Sequence, residues 1–236
     1  MAAGQSLKPF YIGLGVVAVA GVALIARSMG GSGTAVPAAV LPLPIAVANG
    51  PRGVVMGSDS APVEVAEYSD FQCPYCARFS VLQFPDIRDR LINTGRVRWR
   101  FMNFPLDGHP NTRPAHLAAG CAREQGKFWE MHDAVYQGQG DWADSRRPER
   151  VLREYADHIG LNRDQFDQCM QTQRAMPEIE ADRQRGDSLG VNSTPTFFVN
   201  GRQLQEVPTY DQLRAIVDSI APVNPPAALR AGAARR

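Results

Sequence analysis

Two cysteines lie where a predicted strand is followed by a predicted helix. Residues 62–69 (PVEVAEYS) alternate as a strand does, and Cys73 and Cys76 follow after a short link. Pro74 suits the first position of a helix, because its missing N–H would have no partner there. Cys73 is therefore predicted at a helix N-terminus, where free backbone N–H groups and the helix dipole stabilise a thiolate.

The spacing of this pair predicts thiol–disulfide exchange. Cys76 comes three residues after Cys73, on the same side of the helix and one turn further in. A mixed disulfide formed on Cys73 could then be resolved by Cys76. A structural zinc site would need four ligands, usually two close pairs, whereas Cys121 and Cys169 are distant single residues. We therefore expect a redox pair, with no metal and no cofactor beyond the cysteines.

A carboxylate lies on an otherwise apolar strand face just before the pair. Glu67 shares a face with Val63 and Val65, because side chains two apart point the same way in a strand. One interpretation is an exposed edge carboxylate. The other is a carboxyl held under the cysteine pair, with a pKa raised by desolvation.

The remaining patterns predict an interrupted α/β layout. Residues 96–104 alternate as a half-buried strand, so a parallel strand–helix–strand crossover is expected. A long stretch, 107–190, is helical throughout. Residues 196–199 then predict a strand, Asn200-Gly201 a hairpin turn, and Thr209-x-x-Gln212 a capping box before a last helix.

The other two cysteines, Cys121 and Cys169, lie on apolar stripes of the helical stretch. They could be two buried thiols, since free cysteine is commonly buried, or a second redox pair. In an oxidising compartment a structural disulfide between two helices is favoured, with a stabilisation of roughly 4 kcal/mol in the loop-entropy model.

An apolar segment near the start predicts a membrane anchor. Residues 10–26 carry no charge over 17 positions, and the next small-x-small cleavage site, at 46–48, comes late, which favours an uncleaved anchor over the alternative of a removed signal peptide. We expect an uncleaved signal anchor at 10–26, a cytoplasmic N-terminus at 1–9, and a Gly/Ala/Pro linker at 27–50. The catalytic domain would then lie on the extracytoplasmic side of the cell membrane.

Composition is that of an ordinary globular chain, with 44% hydrophobic and 21% charged residues. The net charge of +1 gives no case for a nucleic-acid partner. The folded part is expected to comprise 51–106 and 191–221, with 107–190 inserted between them. A disordered tail is expected at 222–236.

Three motifs together resemble one family. They are Cys73-Pro74-Tyr75-Cys76, the run Ser193-Thr194-Pro195-Thr196 followed by FFVNG, and QGKFWEMHDAVY at 125–136. This combination resembles the DsbA-like thiol–disulfide oxidoreductases of the thioredoxin superfamily, specifically their membrane-anchored or exported members. The resemblance covers about 60–221. It implies an α/β thioredoxin fold with an inserted helical domain, here preceded by an N-terminal transmembrane helix.

The resemblance also assigns roles to residues. It implies that Cys73 is the attacking, solvent-reached thiol and Cys76 the buried resolving one. Pro195 matches the family's cis-proline, and Thr194 before it would offer its backbone to an extended substrate segment. Glu67 matches the family's buried acidic position, from which it would shuttle the proton of Cys76.

These features together predict a dithiol oxidase for unfolded or reduced exported proteins, reoxidised by a membrane thiol oxidase or quinone-linked partner. Two departures leave the direction open. The Pro74-Tyr75 dipeptide is that of glutaredoxins, not of the best-known strong oxidases, and Thr194 stands where those oxidases have valine. A reductase or isomerase, or a tethered chaperone without an essential redox role, remains the alternative.

Overall fold

The computed structural model describes residues 53–222. The predicted N-terminus 1–9, anchor 10–26 and linker 27–50 lie outside this range, as does all but the first residue of the tail predicted at 222–236. Within 53–222, no helix is long and apolar enough to cross a membrane.

The described chain alternates between a mixed sheet and flanking helices. The strands are β1 (Val54–Met56), β2 (Val63–Ser69), β3 (Val97–Asn103), β4 (Thr196–Val199) and β5 (Arg202–Gln203). The helices around the first crossover are α1 (Pro74–Leu82) and α2 (Phe84–Ile87), continued by a π-helical turn at Arg88–Ile92. The insertion contains α3 (Thr112–Arg123), α4 (Phe128–Gln137), α5 (Gln139–Trp142), α6 (Pro148–His158), α7 (Arg163–Thr172) and α8 (Met176–Ser188), and α9 (Tyr210–Ile220) ends the fold.

The sheet has the order β1-β3-β2-β4-β5. Strands β2 and β3 are parallel, as the strand–helix–strand pattern predicts, whereas the other pairs are antiparallel. The sequence patterns did not indicate β1, because three residues are too few to show an alternation. This arrangement is the predicted thioredoxin fold with a helical insertion, and it places β2 at the centre of the sheet.

Each face of the sheet has its own apolar layer. On one face, Val63 and Val65 pack with Phe79 of α1 and with Leu213 and Val217 of α9. On the other, aromatic side chains of β2, β4 and the end of β3 form a smaller layer. Helix α8 lies against that second layer, where a Cβ at Gly186 would come within 2.5 Å of the Phe104 ring.

The insertion packs against the end of the sheet that carries the cysteine pair. Its core is continuous with Phe71, Phe101 and both cysteines of the pair. Arg88, at the end of α2, donates two hydrogen bonds of 2.7 and 2.8 Å to Asp133 of α4. The insertion therefore forms one wall around the Cys73–Cys76 pair.

Candidate active site

The cysteine pair lies at the N-terminus of α1. Cys73 is the N-cap residue with extended backbone angles, Pro74 begins the helix, and Cys76 lies within its first turn. Both cysteines are free thiols. The Cys73 backbone N–H bonds the Asp70 carbonyl at 3.1 Å, which fixes the turn between β2 and α1.

Cys73 is less accessible than the resemblance implies. It is 4% exposed, and Cys76 is fully buried. The Cys73 thiol lies against the loop before β4, where its Sγ is 3.4 Å from the Thr194 carbonyl oxygen. The expected solvent-reached thiol is therefore almost covered, because that loop packs directly against it.

The two thiols have opposite electrostatic environments. A hydrogen bond from the Cys76 side chain, the largest influence, lowers the pKa of Cys73 from 9.0 to about 6. Burial acts in the opposite direction, and the Thr194 side chain and the backbone N–H groups of Tyr75 and Cys76 add to the lowering. Burial raises the pKa of Cys76 well above its ordinary value, and the neighbouring Cys73 raises it further. Cys73 is therefore the thiolate of the pair.

Sheet pairing brings the Thr194–Pro195 loop to the pair. Strand β4 runs antiparallel to β2, with Thr196 opposite Tyr68, so the residues before β4 meet the end of β2. The Thr194–Pro195 peptide bond is cis. The two residues matched to the family's cis-proline motif thus lie beside Cys73, although more than 100 residues separate them along the chain.

Glu67 is not an edge carboxylate. It is 1% exposed, because β2 is flanked by β3 and β4. Its Oε2 accepts a hydrogen bond of 3.2 Å from Trp99 Nε1. Burial raises the pKa of Glu67 from 4.5 to about 7, and the side chains of Ser69 and Trp99 limit the rise. The carboxyl can therefore exchange a proton near neutral pH.

Two polar residues near the pair, Ser69 and Tyr136, were not predicted at the site, although Tyr136 ends the motif at 125–136. Ser69, on the same face of β2 as Glu67, has its Oγ 2.8 Å from the Tyr136 hydroxyl of α4. Both residues are buried. The period of two on β2 could have indicated Ser69, but no local signal places Tyr136 beside it.

A buried carboxylate also fixes the loop before Cys73. Asp70 accepts hydrogen bonds from the backbone N–H groups of Gln72 and Leu106, and from the Thr112 hydroxyl, at 2.6–2.7 Å. His109 Nδ1 lies 2.9 Å from the same carboxylate. The cysteine pair is thereby attached to the first part of the insertion.

The second cysteine pair lies in the core of the insertion. Cys121 of α3 and Cys169 of α7 form a disulfide with a Cα–Cα distance of 5.7 Å. Both residues are buried, so this bond joins two helices rather than facing a substrate. Among residues 53–222, no group of histidine, cysteine and carboxylate side chains is arranged to hold a metal ion.

Exposed apolar side chains lie along α1, from Tyr75 within the cysteine pair to Leu82 at the other end of the helix. Tyr75, between the two cysteines, is 69% exposed, and Leu82 and Val207 are also exposed. A groove runs along the side of α1 between these three residues, and its lining also includes the polar residues Arg78, Gln83 and Thr209. This surface has the mixed apolar and polar character of a site for an extended peptide segment.

A helix-terminal Cys-x-x-Cys pair beside a cis-proline loop, on a sheet of this order, is the arrangement that the resemblance to the thioredoxin superfamily implies. The model of the thioredoxin family matches residues 49–219. The chain therefore belongs to the thioredoxin family, and within it to the DsbA-like thiol–disulfide oxidoreductases.

Individual relatives agree with this assignment. The "Probable disulfide bond formation protein D" of Bacillus anthracis is 30% identical over 170 residues, 69% of this chain and 76% of that protein. The crystal structure of Wolbachia pipientis alpha-DsbA1 superposes with a TM-score of 0.64 at 25% identity, over 76% of this chain and 92% of that one.

A further relative is a much longer protein. The Na(+)/H(+) antiporter NhaA 3 of Salinispora tropica is 41% identical over 153 residues, 64% of this chain. The match spans 22% of that antiporter, so the similarity concerns one part of it.

Proposed function

We propose that this protein is a membrane-tethered dithiol oxidase that introduces disulfides into exported proteins. The observation that carries the proposal is the stabilised thiolate of Cys73, whose pKa is lowered to about 6 by the Cys76 side chain and further polar groups. Stabilising the reduced form of a Cys-x-x-Cys pair makes its disulfide more oxidising. The name of the Bacillus anthracis relative supports the same direction.

The reaction begins with the Cys73–Cys76 disulfide. A substrate thiolate attacks Cys73 Sγ, the bond to Cys76 breaks, and Cys76 leaves as a thiolate that takes up a proton. A second thiolate of the substrate then attacks the substrate sulfur of the mixed disulfide and releases Cys73 as a thiolate. The substrate loses two electrons and gains one disulfide, and the enzyme pair is reduced.

The neighbouring residues take supporting roles in this scheme. Glu67 exchanges the proton of Cys76, since its carboxyl titrates close to neutral pH. The Thr194–Pro195 backbone binds an extended substrate segment beside Cys73, and the exposed side chains of Tyr75, Leu82 and Val207 contact apolar residues of that segment. A membrane thiol oxidase or quinone-linked partner then reoxidises the pair.

The proposed location is the extracytoplasmic side of the cell membrane, with residues 10–26 as the anchor. The disulfide between Cys121 and Cys169 supports an oxidising compartment, because such bonds are rare in the cytosol. The uncharged segment 10–26 supports the anchor.

The deciding measurement is the reduction potential of the pair in the full chain, solubilised in detergent and equilibrated with glutathione buffers. A potential near or above roughly −150 mV is expected for an oxidase. Oxidation of a reduced model substrate should be lost in Cys73→Ser and kept in Ser188→Ala, an exposed control far along α8. A potential near roughly −250 mV would overturn the oxidase in favour of a reductase.

Specific features favour two alternatives. The Pro74-Tyr75 dipeptide and Thr194 favour a reductase or isomerase of the same fold. The exposed apolar side chains beside the pair favour a tethered chaperone. Suppression of aggregation that is equal in wild type and Cys73→Ser, without any substrate oxidation, would support the chaperone.

A further inference from the structure

One side chain of the insertion contacts the backbone of the active-site turn at two points. The Gln139 side-chain amide donates hydrogen bonds to the carbonyl oxygens of Phe71, at 2.7 Å, and of Cys73, at 3.1 Å. Gln139 is the first residue of α5 and comes 66 positions after Cys73. One NH2 group therefore holds two carbonyls of the turn between β2 and α1.

Helix α5 is fixed by other contacts within the insertion. Trp142 is fully buried, and its Nε1 donates a hydrogen bond of 2.9 Å to the Val135 carbonyl. The Asn111 side chain donates to the carbonyl oxygens of Trp142 and Ala143 at 3.2 and 2.9 Å. The insertion thus presents Gln139 to the turn from a fixed position.

The turn also holds the end of α5 in return. The buried Gln72 side chain donates a hydrogen bond of 2.8 Å to the Ala143 carbonyl, and it accepts one of 2.7 Å from the Asn111 backbone N–H. Hydrogen bonds from side-chain amides therefore run in both directions between the turn and α5. These amides carry no charge and do not titrate.

The conformation of this turn sets the environment of the Cys73 sulfur. Cys73 is the N-cap residue, with φ −69° and ψ 123°, and its carbonyl also accepts from the Ala77 backbone N–H at 3.1 Å. Rotation about ψ would take that carbonyl away from Gln139. It would also move the N–H groups of Tyr75 and Cys76, which help to stabilise the Cys73 thiolate. Gln139 can therefore act on the sulfur through the backbone.

The two hydrogen bonds of Gln139 matter most when the pair is reduced. In the oxidised pair, the covalent bond between Cys73 and Cys76 itself ties the turn to the first turn of α1. In the reduced pair, which this structure shows, only noncovalent contacts do so. A contact shifts an equilibrium only by the difference in its free energy between the two states. Gln139 therefore favours the reduced pair, and this makes the disulfide more oxidising.

We propose that Gln139 is a positioning residue of the exchange reaction, which keeps the turn in the conformation that stabilises the Cys73 thiolate. This role rests on the thiol–disulfide exchange proposed above. Gln139 gives and takes no proton or electron, and it acts through the carbonyls of Phe71 and Cys73 alone. The insertion then contributes to the oxidising strength of the pair as well as forming one wall beside it.

The test compares two glutamines that lie two positions apart. Gln139→Met keeps the length of the side chain and removes its N–H donors. Gln137→Met makes the same change at the exposed end of α4, where the side chain has no hydrogen bond within residues 53–222. Both variants are made in the full chain and purified in detergent.

The first measurement is the equilibrium of each protein with glutathione at pH 7. The equilibrium constant for formation of the reduced pair should fall at least about threefold in Gln139→Met, which is the effect of losing about one hydrogen bond. It should equal the wild-type value in Gln137→Met, because that side chain does not contact the turn.

The second measurement is the ultraviolet absorbance of the Cys73 thiolate in the reduced proteins as the pH is varied. The midpoint should move to higher pH in Gln139→Met and stay at the wild-type value in Gln137→Met. Cys76 does not interfere, because burial raises its pKa well above the ordinary value. Asp70 of the same turn, and His109 bound to its carboxylate, are unchanged in every variant.

A milder pair of variants applies if Gln139→Met does not fold. Gln139→Asn keeps an amide that is one methylene shorter and cannot reach both carbonyls. Its equilibrium constant and thiolate midpoint should shift in the same directions as those of Gln139→Met. Gln137→Asn is the matched control and should again equal the wild type.

The possible failures can be told apart. A wild type that does not exchange disulfides through Cys73 would overturn the proposed function. If the equilibrium constant and the thiolate midpoint were the same in the variants of Gln139 and Gln137, the positioning role alone would be overturned. A Gln139 variant that is less stable to urea but has both values unchanged would also overturn it, because that result indicates a purely structural contact.

Discussion

At the residue scale, the buried carboxyl of Glu67 makes the stability of the fold depend on pH. Its carboxyl lies on the central strand among apolar side chains, with a single hydrogen bond from Trp99. Burial raises its pKa from 4.5 to about 7. Between pH 4.5 and about pH 7, the Glu67 carboxyl keeps its proton in the folded protein but has lost it in the unfolded chain. Stability therefore falls as the pH rises through this window.

Glu67→Gln should remove this pH-dependent loss. The amide oxygen can still accept from Trp99 Nε1, but the side chain no longer ionises. The wild type should lose roughly 3 kcal/mol relative to the variant between pH 4 and pH 8, at 1.36 kcal/mol per pH unit. Urea unfolding of both proteins at several pH values measures the difference. Parallel stability–pH curves would contradict the raised pKa.

The two cysteines of the pair show how one helical turn separates two chemical roles. Cys73 is at the helix end, where N–H groups and the Cys76 thiol favour its charged form, whereas Cys76 is surrounded by the core. The result is one thiolate and one protonated thiol in the reduced pair. In the proposed exchange, this asymmetry makes Cys73 the sulfur that is attacked and released as a thiolate, and Cys76 the resolving thiol.

Among the secondary-structure elements, α9 shows that a local sequence motif can specify the residue at which a helix begins. The Thr209 hydroxyl accepts from the Gln212 backbone N–H at 3.3 Å, and the Gln212 side chain accepts from the Thr209 backbone N–H at 2.8 Å. This is the predicted capping box. It starts the helix whose Leu213 and Val217 fill the layer behind β2.

Thr209→Ala should destabilise the protein by about 1 kcal/mol, because one backbone N–H loses its acceptor. Chemical denaturation of the full chain in detergent measures the change. Ser219→Ala, an exposed position near the end of the same helix, should stay within about 0.5 kcal/mol of wild type. If the two substitutions lowered the free energy of unfolding equally, the hydrogen bonds of the Thr209 cap would not be the cause of the loss.

For the whole molecule, the insertion forms one wall beside the cysteine pair. The Cys121–Cys169 disulfide joins α3 to α7 across a sequence separation of 48 residues. Gln139 of α5 donates hydrogen bonds to the carbonyl oxygens of Phe71 and Cys73. The insertion therefore supports the active-site loop as well as its own core.

The double variant Cys121→Ala/Cys169→Ala should lose roughly 4 kcal/mol of stability, because the unfolded chain gains the freedom of an open loop. Thiol–disulfide exchange at Cys73 should persist at a temperature where the variant is folded. Thermal unfolding measures the stability, and the rate at which dithiothreitol reduces the Cys73–Cys76 disulfide measures the exchange. Loss of exchange in a folded variant would instead indicate that the second pair takes part in the reaction.

Local sequence patterns determined the elements on which this site depends. The strand–Cys-Pro-Tyr-Cys–helix junction, the strand at 196–199 and the capping box at Thr209 were all predictable, because each follows from backbone chemistry within a few residues. The resemblance added the position of Pro195 beside the pair. It also implied the thioredoxin fold, with which the order of the predicted elements agrees.

Only the tertiary structure decided how these elements pack together and which side chains they bury. The sequence could not choose between an exposed and a buried Glu67, because the choice depends on β3 and β4 flanking β2. It also gave no sign that Cys73 is almost covered, or that Tyr136 reaches Ser69 from the insertion. Proton affinities respond to burial and to contacts between segments distant along the chain, and these exist only once the sheet and the insertion have packed together.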